Sequence, residues 1–247
     1  MQYVGGKYRV ARHIEHEILK LKGGRSVYLE PFVGGAATFS RLAPHFAHAH
    51  GYDVMPDLVE MWQSAITGWE PTLPVTEGDY RELKGAPPSA QRGFVGFGCS
   101  FGGKFFGGYA RSRNGAAPGY DYAAGSARSV KKQAKAMRNA SVDLLDYRAI
   151  RVVGDEVIYC DPPYAGTTGY NDTEPFDSEA FWSTAECWAS LGAVVFVSEY
   201  EAPDGWSEVW QKPMPNYLRG DSQKAGQRTE RLFVNLATAI ALAPDFD

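Results

Sequence analysis

An α/β fold built on a doubly wound sheet, interrupted by an inserted segment, is the class this sequence predicts. Three observations lead there. Short apolar runs alternate with helical periodicities over residues 1–66, and the same rhythm resumes over residues 142–236. A glycine turn, Phe32-Val33-Gly34-Gly35, joins a predicted strand to a predicted helix. Between these stretches, residues 68–140 lose the rhythm and fill with Gly, Pro and aromatic residues, which reads as an insertion. The expected organisation is a catalytic domain from 1–67 and 141–247, with 68–140 set into it.

Val10, Ile14, Ile18 and Leu21 recur at steps of three and four, so Arg9 to Leu21 is predicted as an amphipathic helix, ended by Gly23-Gly24. Ser26 to Glu30 reads as a strand, Ala36 to Leu42 as a helix, Tyr52-Asp53 as the end of a second strand, and Pro56 to Ile66 as the next helix. Within the insertion, only Ser126 to Asn139 has a clear helical pattern. Strands are then expected at Val142 to Leu145, Glu156 to Cys160, Ala193 to Ser198 and Arg231 to Leu236, with a helix from Asp177 to Ser190. His45, His48 and His50 have no Cys or Glu at ligand spacing and read as a solvated helix end rather than a metal site.

With 44% apolar and 22% charged residues among 247, the chain has the material for a packed core, which argues against global disorder. Lys7, Arg9 and Arg12 interrupt any leader-like apolar run, and the stretch Ala193 to Val197 is far too short to cross a bilayer, so a cytosolic protein is expected. Cys99, Cys160 and Cys187 form no paired motif and are expected to behave as small buried hydrophobes. The net charge is −4, but it is unevenly spread. Between Ser100 and Ala140 eight bases (Lys104, Arg111, Arg113, Arg128, Lys131, Lys132, Lys135 and Arg138) face one acid, Asp121, giving that segment +7 and the remainder −11. A concentrated basic segment on an acidic body fits a polyanion-binding face; a solvated helix surface would look similar.

Chemistry is most legible in Asp161-Pro162-Pro163-Tyr164, which follows the apolar strand Val157-Ile158-Tyr159-Cys160. The strand delivers a carboxylate to its C-terminal end, where open α/β sheets bind ligands. Two successive prolines fix φ and cannot continue a ladder, leaving a stiff loop with an acid, free carbonyls and a ring. Such a loop suits a planar substrate with an amino group: carboxylate and carbonyl accept its two N–H bonds while the ring stacks on its face. A strand-ending turn with a capping Asp is the plainer alternative. Upstream, Gly34 and Gly35 allow close approach of a ligand to the backbone, and Asp53, ending the next strand, is placed to bind ribose hydroxyls. Gly5-Gly6-Lys7 lacks both the preceding strand and the following Ser/Thr of a phosphate-binding P-loop.

Taken in order, Gly5-Gly6-Lys7, Glu30-Pro31-Phe32-Val33-Gly34-Gly35, Asp53 and Asp161-Pro162-Pro163-Tyr164 resemble the motifs of Dam-like DNA adenine-N6 methyltransferases. Asp146-Tyr147 is similar to that family's motif beside the cofactor adenine, and Thr229-Glu230-Arg231-Leu232 to its C-terminal signature. The resemblance covers most of 1–66 and 142–236. It implies a Rossmann-like methyltransferase sheet with an inserted target-recognition subdomain, S-adenosylmethionine as cofactor, double-stranded DNA as partner and no metal. It implies cofactor contacts at Tyr3, Gly6, Lys7, Glu30, Pro31, Phe32, Gly34, Gly35, Asp53, Asp146, Tyr147 and Asp161, with Asp161, Pro162, Pro163 and Tyr164 catalytic. Tyr3 stands where many relatives have Trp, and the glycines of the turn are differently flanked here. Ser198-Glu199-Tyr200 lies where relatives often have Ser-Asn, and Glu199 has no assigned role.

Adenine's amino group faces its pairing partner in duplex DNA, so the base must flip, with Tyr164 stacking on it and Tyr170 or Phe176 as further walls. In the insertion, Phe101, Phe105, Phe106 and Tyr109 alternate with glycines and Lys104; they could enter a groove or fill the gap left by the base, or form a small aromatic core. Lys104, Arg111, Arg113, Arg128, Lys131, Lys132 and Lys135 are the candidate DNA contacts. Methylation of cytosine N4, RNA adenine or a side-chain amide stays open as an alternative, as does a non-catalytic DNA-binding protein on the same fold. The expected state is a monomer or weak dimer. The target sequence, and a restriction-modification or phage-like role, are left open by the residues.

Overall fold

The helical stripe of Ile14, Ile18 and Leu21 is buried along α1 (Ala11–Leu21), with Val10 buried just before it, as its period requires. The computed structural model describes residues 1–111, 119–164, 176–214 and 228–235. Two compact units make up the chain, Met1–Arg12 with Tyr28–Ile150, and His13–Val27 with Arg151–Asp247. Strands and helices alternate in both, and the class is α/β, Rossmann-like, with seven strands among the described residues.

In the first unit three strands lie in the order β3-β2-β1: β1 (Val27–Glu30), β2 (His48–Asp53) and β3 (Ser141–Leu144). β2 and β3 run parallel, with Asp53 opposite Leu144. The helix expected over Ala36 to Leu42 is shorter, α2 (Phe39–Leu42), followed by a 3₁₀ turn at Ala43–His45. The reason is Ala36, whose φ of 51° keeps the chain in the turn, its N–H bonded to the Val33 carbonyl at 2.8 Å. His48 and His50 belong to β2, not to a helix end, and His50 Nδ1 lies 3.0 Å from Ser141 Oγ. α3 (Pro56–Ile66) follows β2 with the predicted bounds.

Residues 68–140 hold more helix than their composition predicts: α4 (Glu77–Lys84), α5 (Ala90–Gly98), a 3₁₀ turn at Phe101–Gly103, and α6 (Tyr122–Ala136). α4 carries one buried residue, Tyr80, and rests on a capping box between Thr76 and Asp79. α5 contains Gly93, Gly96 and Gly98, which lower helix propensity but permit contact. A Cβ on Gly93 would lie 2.2 Å from the Asp57 carbonyl of α3, and one on Gly96 2.3 Å from Phe105. α6 starts earlier than expected because Asp121 caps it, accepting from Ala124 N at 2.9 Å.

The second unit orders its strands β4-β5-β7-β6. β4 (Glu156–Cys160) and β5 (Val194–Glu199) are parallel and buried throughout, as continuous apolar runs require. β7 (Arg228–Asn235) is antiparallel to β5, with Glu199 opposite Arg231. β6 (Trp206–Met214) pairs with β7 at the edge and was not predicted; its half-buried, polar, Pro213-containing run lacks the apolar alternation of an interior strand. α7 (Ser178–Ser190) precedes β5, capped by Asp177. No described helix is long and apolar enough to cross a membrane.

Candidate active site

The first unit gathers its candidate residues at the C-terminal ends of β1, β2 and β3. Asp53 ends β2, and its two carboxylate oxygens accept from the N–H groups of Gly34 and Met55, each at 2.9 Å. The turn is thereby clamped to the strand end, and Val33 N–H adds a bond to the Tyr52 carbonyl at 3.0 Å. Burial pushes the Asp53 carboxyl up, against the opposing effect of those backbone N–H groups. The carboxylate has capacity left to accept from a hydroxyl donor. The Phe32 ring lies 5.4 Å from buried Tyr147, which follows β3. Beside it, Asp146 is forked by Arg148 at 2.8 and 2.9 Å, and that guanidinium holds its carboxyl low.

Glu30 is buried beneath the turn and accepts from Thr38 Oγ1 at 2.6 Å and from the Tyr28 hydroxyl, so its carboxylate braces the turn from below. Pro31 is buried with it, as is Lys7, whose carbonyl accepts the first N–H groups of α1. Gly6 N–H bonds the Tyr3 carbonyl at 3.1 Å. Tyr3 explains the glycines of the turn. A Cβ on Gly34 would meet its ring at 2.7 Å, and one on Gly35 its Cβ at 2.7 Å; Gly34 also has a φ of 46°. The same residue packs against Phe97 at 5.0 Å, and its backbone leaves no room for a Cβ on Gly103.

In the second unit β4 carries Asp161 out of its buried run, as the sequence predicts. Asp161 and Tyr164 are half-buried, and Pro162 is buried. The Tyr164 hydroxyl donates to Glu230 on β7, and its ring meets Tyr200 edge to face at 4.7 Å. Desolvation, then the negative charges of Asp161 and Glu230, raise the Tyr164 phenol well above its usual range, so it stays neutral. Glu199 is buried and accepts from the Tyr200 N–H at 2.8 Å. Phe176 lies 5.8 Å from Phe181 of α7; Tyr170 falls outside the described residues.

The basic candidates divide. Arg128, Lys131, Lys132 and Lys135 are all exposed on α6, and Lys104 is exposed beyond the 3₁₀ turn. Lys131 pairs with Glu70 at 2.5 Å and Arg111 with Glu77, while Arg113 lies outside the described residues. Of the aromatics, Phe105 and Phe106 are core, packed 4.8 Å apart beside Arg92, and the Tyr109 hydroxyl donates to the Val75 carbonyl. Phe101 is 78% exposed on the glycine-rich turn. Cys99 and Cys160 are buried as expected, but Cys187 is exposed on α7, where the helix turns its polar face outward.

Three contacts escaped the motif reading. Tyr200 had no signal beyond its neighbours Ser198 and Glu199. The link from Glu230 to Tyr164 depends on strand pairing. Gln133 of α6, which donates to the Gly35 and Ala36 carbonyls at 2.8 and 2.9 Å, was visible only as a polar residue among Val130, Ala134 and Met137. No group of three His, Cys, Asp or Glu among the described residues could hold a metal ion.

No curated protein matches the sequence. Similar solved structures are distant. Magnesium protoporphyrin IX methyltransferase from Synechocystis PCC 6803 is 10% identical over 92% of this chain and 77% of its own, with a TM-score of 0.40. The tRNA (m1A58) methyltransferase TrmI from Aquifex aeolicus is 11% identical over 95% and 70%, at 0.41. N-methyltransferase NodS from Bradyrhizobium japonicum WM9 is 14% identical over 92% and 97%, at 0.38. At such distances their substrates remain their own. Residues 3–83 match the model of the D12 class N6 adenine-specific DNA methyltransferases, a stretch holding the glycine turn, its Tyr3 cover and the Asp53 clamp.

Proposed function

We propose that this chain transfers the methyl group of S-adenosylmethionine to the N6 amino nitrogen of a flipped adenine in double-stranded DNA. The observation that carries the reading is the Asp161-Pro162-Pro163-Tyr164 loop at the end of buried β4, its tyrosine held by Glu230. The first unit's donor set suits the cofactor: the Asp53 carboxylate for ribose hydroxyls, the Phe32 and Tyr147 rings for an adenine, and the backbone of Phe32 to Gly35. Bound there, S-adenosylmethionine supplies an electrophilic methyl on a positively charged sulfur.

The protein's own work is alignment and charge. An adenine amino lone pair is delocalised into its ring. The Asp161 carboxylate and the Pro162 carbonyl accept its two hydrogens, which localises the pair and stabilises positive charge growing on nitrogen. Tyr164, kept neutral by its surroundings, stacks on the base with its hydroxyl anchored. Tyr200 meets that ring edge to face and joins Tyr170 and Phe176 as a candidate wall of the base site.

Residues 68–140 then serve as the recognition region, with Arg128, Lys132 and Lys135 on phosphates and exposed Phe101 entering the groove or the gap left by the base. Lys131 and Arg111 exchange their acidic partners for phosphate, at little cost for exposed pairs. The test is transfer of labelled methyl to duplex DNA, with the modified base identified. Label in N6-methyladenine, and its loss in a folded Asp161→Ala variant, is the expected result; unchanged turnover in that variant overturns the mechanism.

A further inference from the structure

The cation row of α6 and the cofactor turn are joined through one side chain. Gln133 is 6% exposed and lies on the buried side of the helix that presents Arg128, Lys132 and Lys135 to solvent. Its amide nitrogen donates to two successive carbonyls of the turn, Gly35 at 2.8 Å and Ala36 at 2.9 Å. The orientation of the amide is set from the other end: Oε1 accepts from the Tyr8 hydroxyl at 2.7 Å, the Met1 amine at 2.9 Å and Ser129 Oγ at 3.2 Å. A flipped amide would set its oxygen against the Gly35 and Ala36 carbonyls, which can only accept, and lose both of those bonds.

The segment it grips is strained. Ala36 has a Cβ and yet a φ of 51°, a conformation that persists only where its surroundings hold it. Two carbonyls on either side of that strained peptide, both fixed by one donor group from α6, are such surroundings. Preceding them, Gly34 and Gly35 sit against Tyr3, so the turn has little freedom to relax elsewhere.

We infer that Gln133 is a positioning residue that makes DNA and cofactor bind cooperatively. Phosphates that immobilise α6 also hold the Gln133 amide on the turn, which then accepts the cofactor without paying to order itself. By linkage, cofactor on the turn strengthens DNA binding by the same factor. The inference rests on the roles proposed above for the turn and for α6.

The test is titration of the whole chain with S-adenosylmethionine, without and with a saturating 20-base-pair duplex, after the binding of each alone has been measured. Wild type is expected to bind the cofactor about five-fold or more tightly with duplex present. In Gln133→Met, which keeps length and removes the donor, that ratio falls to about one, while affinity for duplex alone changes less than about two-fold. Ala36→Gly leaves Gln133 in place, removes the strain, and is expected to shrink the ratio as well, which covers the case of Gln133→Met failing to fold. A ratio near one in wild type, or a ratio untouched in a folded Gln133→Met or Ala36→Gly, overturns the inference. Absence of any binding of either ligand alone to wild type instead overturns the functional reading on which it rests.

Discussion

Added at position 34, a methyl group would sit 2.7 Å from the Tyr3 ring on a backbone whose φ is already positive. Gly34→Ala is therefore expected to cost about 1–3 kcal/mol of stability and to lose cofactor affinity, checked by thermal unfolding and titration. Asp53 makes a pH prediction. Its carboxyl is raised from 3.8 by burial, so the native chain holds that proton more tightly than the unfolded one. Between those two values falling pH protonates Asp53 in the fold first; the buried charge, and its cost to stability, disappear, but so does the charged acceptor. Cofactor affinity should then fall with acid at a pH above 3.8, and Asp53→Asn should start weak and lose that part of the profile. Tyr164→Phe removes the hydroxyl held by Glu230; we expect methyl transfer to fall about ten-fold, with the larger effect on the Michaelis constant for DNA, since the stacking ring remains.

At the scale of elements, what was legible follows burial. α3 and β4 have the predicted bounds because each is a dense apolar stretch between clear stops. α4 and α5 were invisible for opposite reasons: one buries almost nothing and stands on its capping box, the other trades propensity for three glycines that let Asp57 and Phe105 come close. The 100–109 segment divides its aromatics accordingly. Phe105→Ala is expected to cost about 3–5 kcal/mol, whereas Phe101→Ala should leave the melting temperature unchanged and weaken DNA binding. On α6, Lys132→Ala and Lys135→Ala should each lower the slope of log affinity against log salt by about one. Lys131→Ala should lower it less, since its ammonium already pairs with Glu70. Equal slopes across the three would place Lys131 on the DNA as fully as its neighbours.

For the molecule as a whole, the motifs at Glu30, Asp53 and Asp161 were readable because each marks the end of a strand, where backbone geometry demands particular residues. Its supporting partners were not: Glu230 reaches Tyr164 across 66 positions, and Gln133 reaches Gly35 across 98. Such pairings are products of folding, and only strand registry and helix packing reveal them. The same burial governs the thiols. Cys99 is pushed up to about 12 by desolvation and Cys160 is enclosed, so iodoacetamide at pH 8 should label one thiol per native chain, Cys187, and three after denaturation. Rapid native labelling at Cys99 would mean that α5 opens.

Tyr3 ties three distant stretches of chain together: its ring covers Gly34 and Gly35, its backbone lies against Gly103, and the Val4 N–H bonds the Gly103 carbonyl at 3.1 Å. If residues 68–140 read the target as proposed, they cannot be exchanged as a free cassette. A chimera that imports a new 68–140 must also bring a glycine where Gly103 stands and a donor where Gln133 stands, or else replace residue 3 together with the segment. Grafts that ignore this are expected to fail first in the Phe32 to Gly35 turn, outside the exchanged segment.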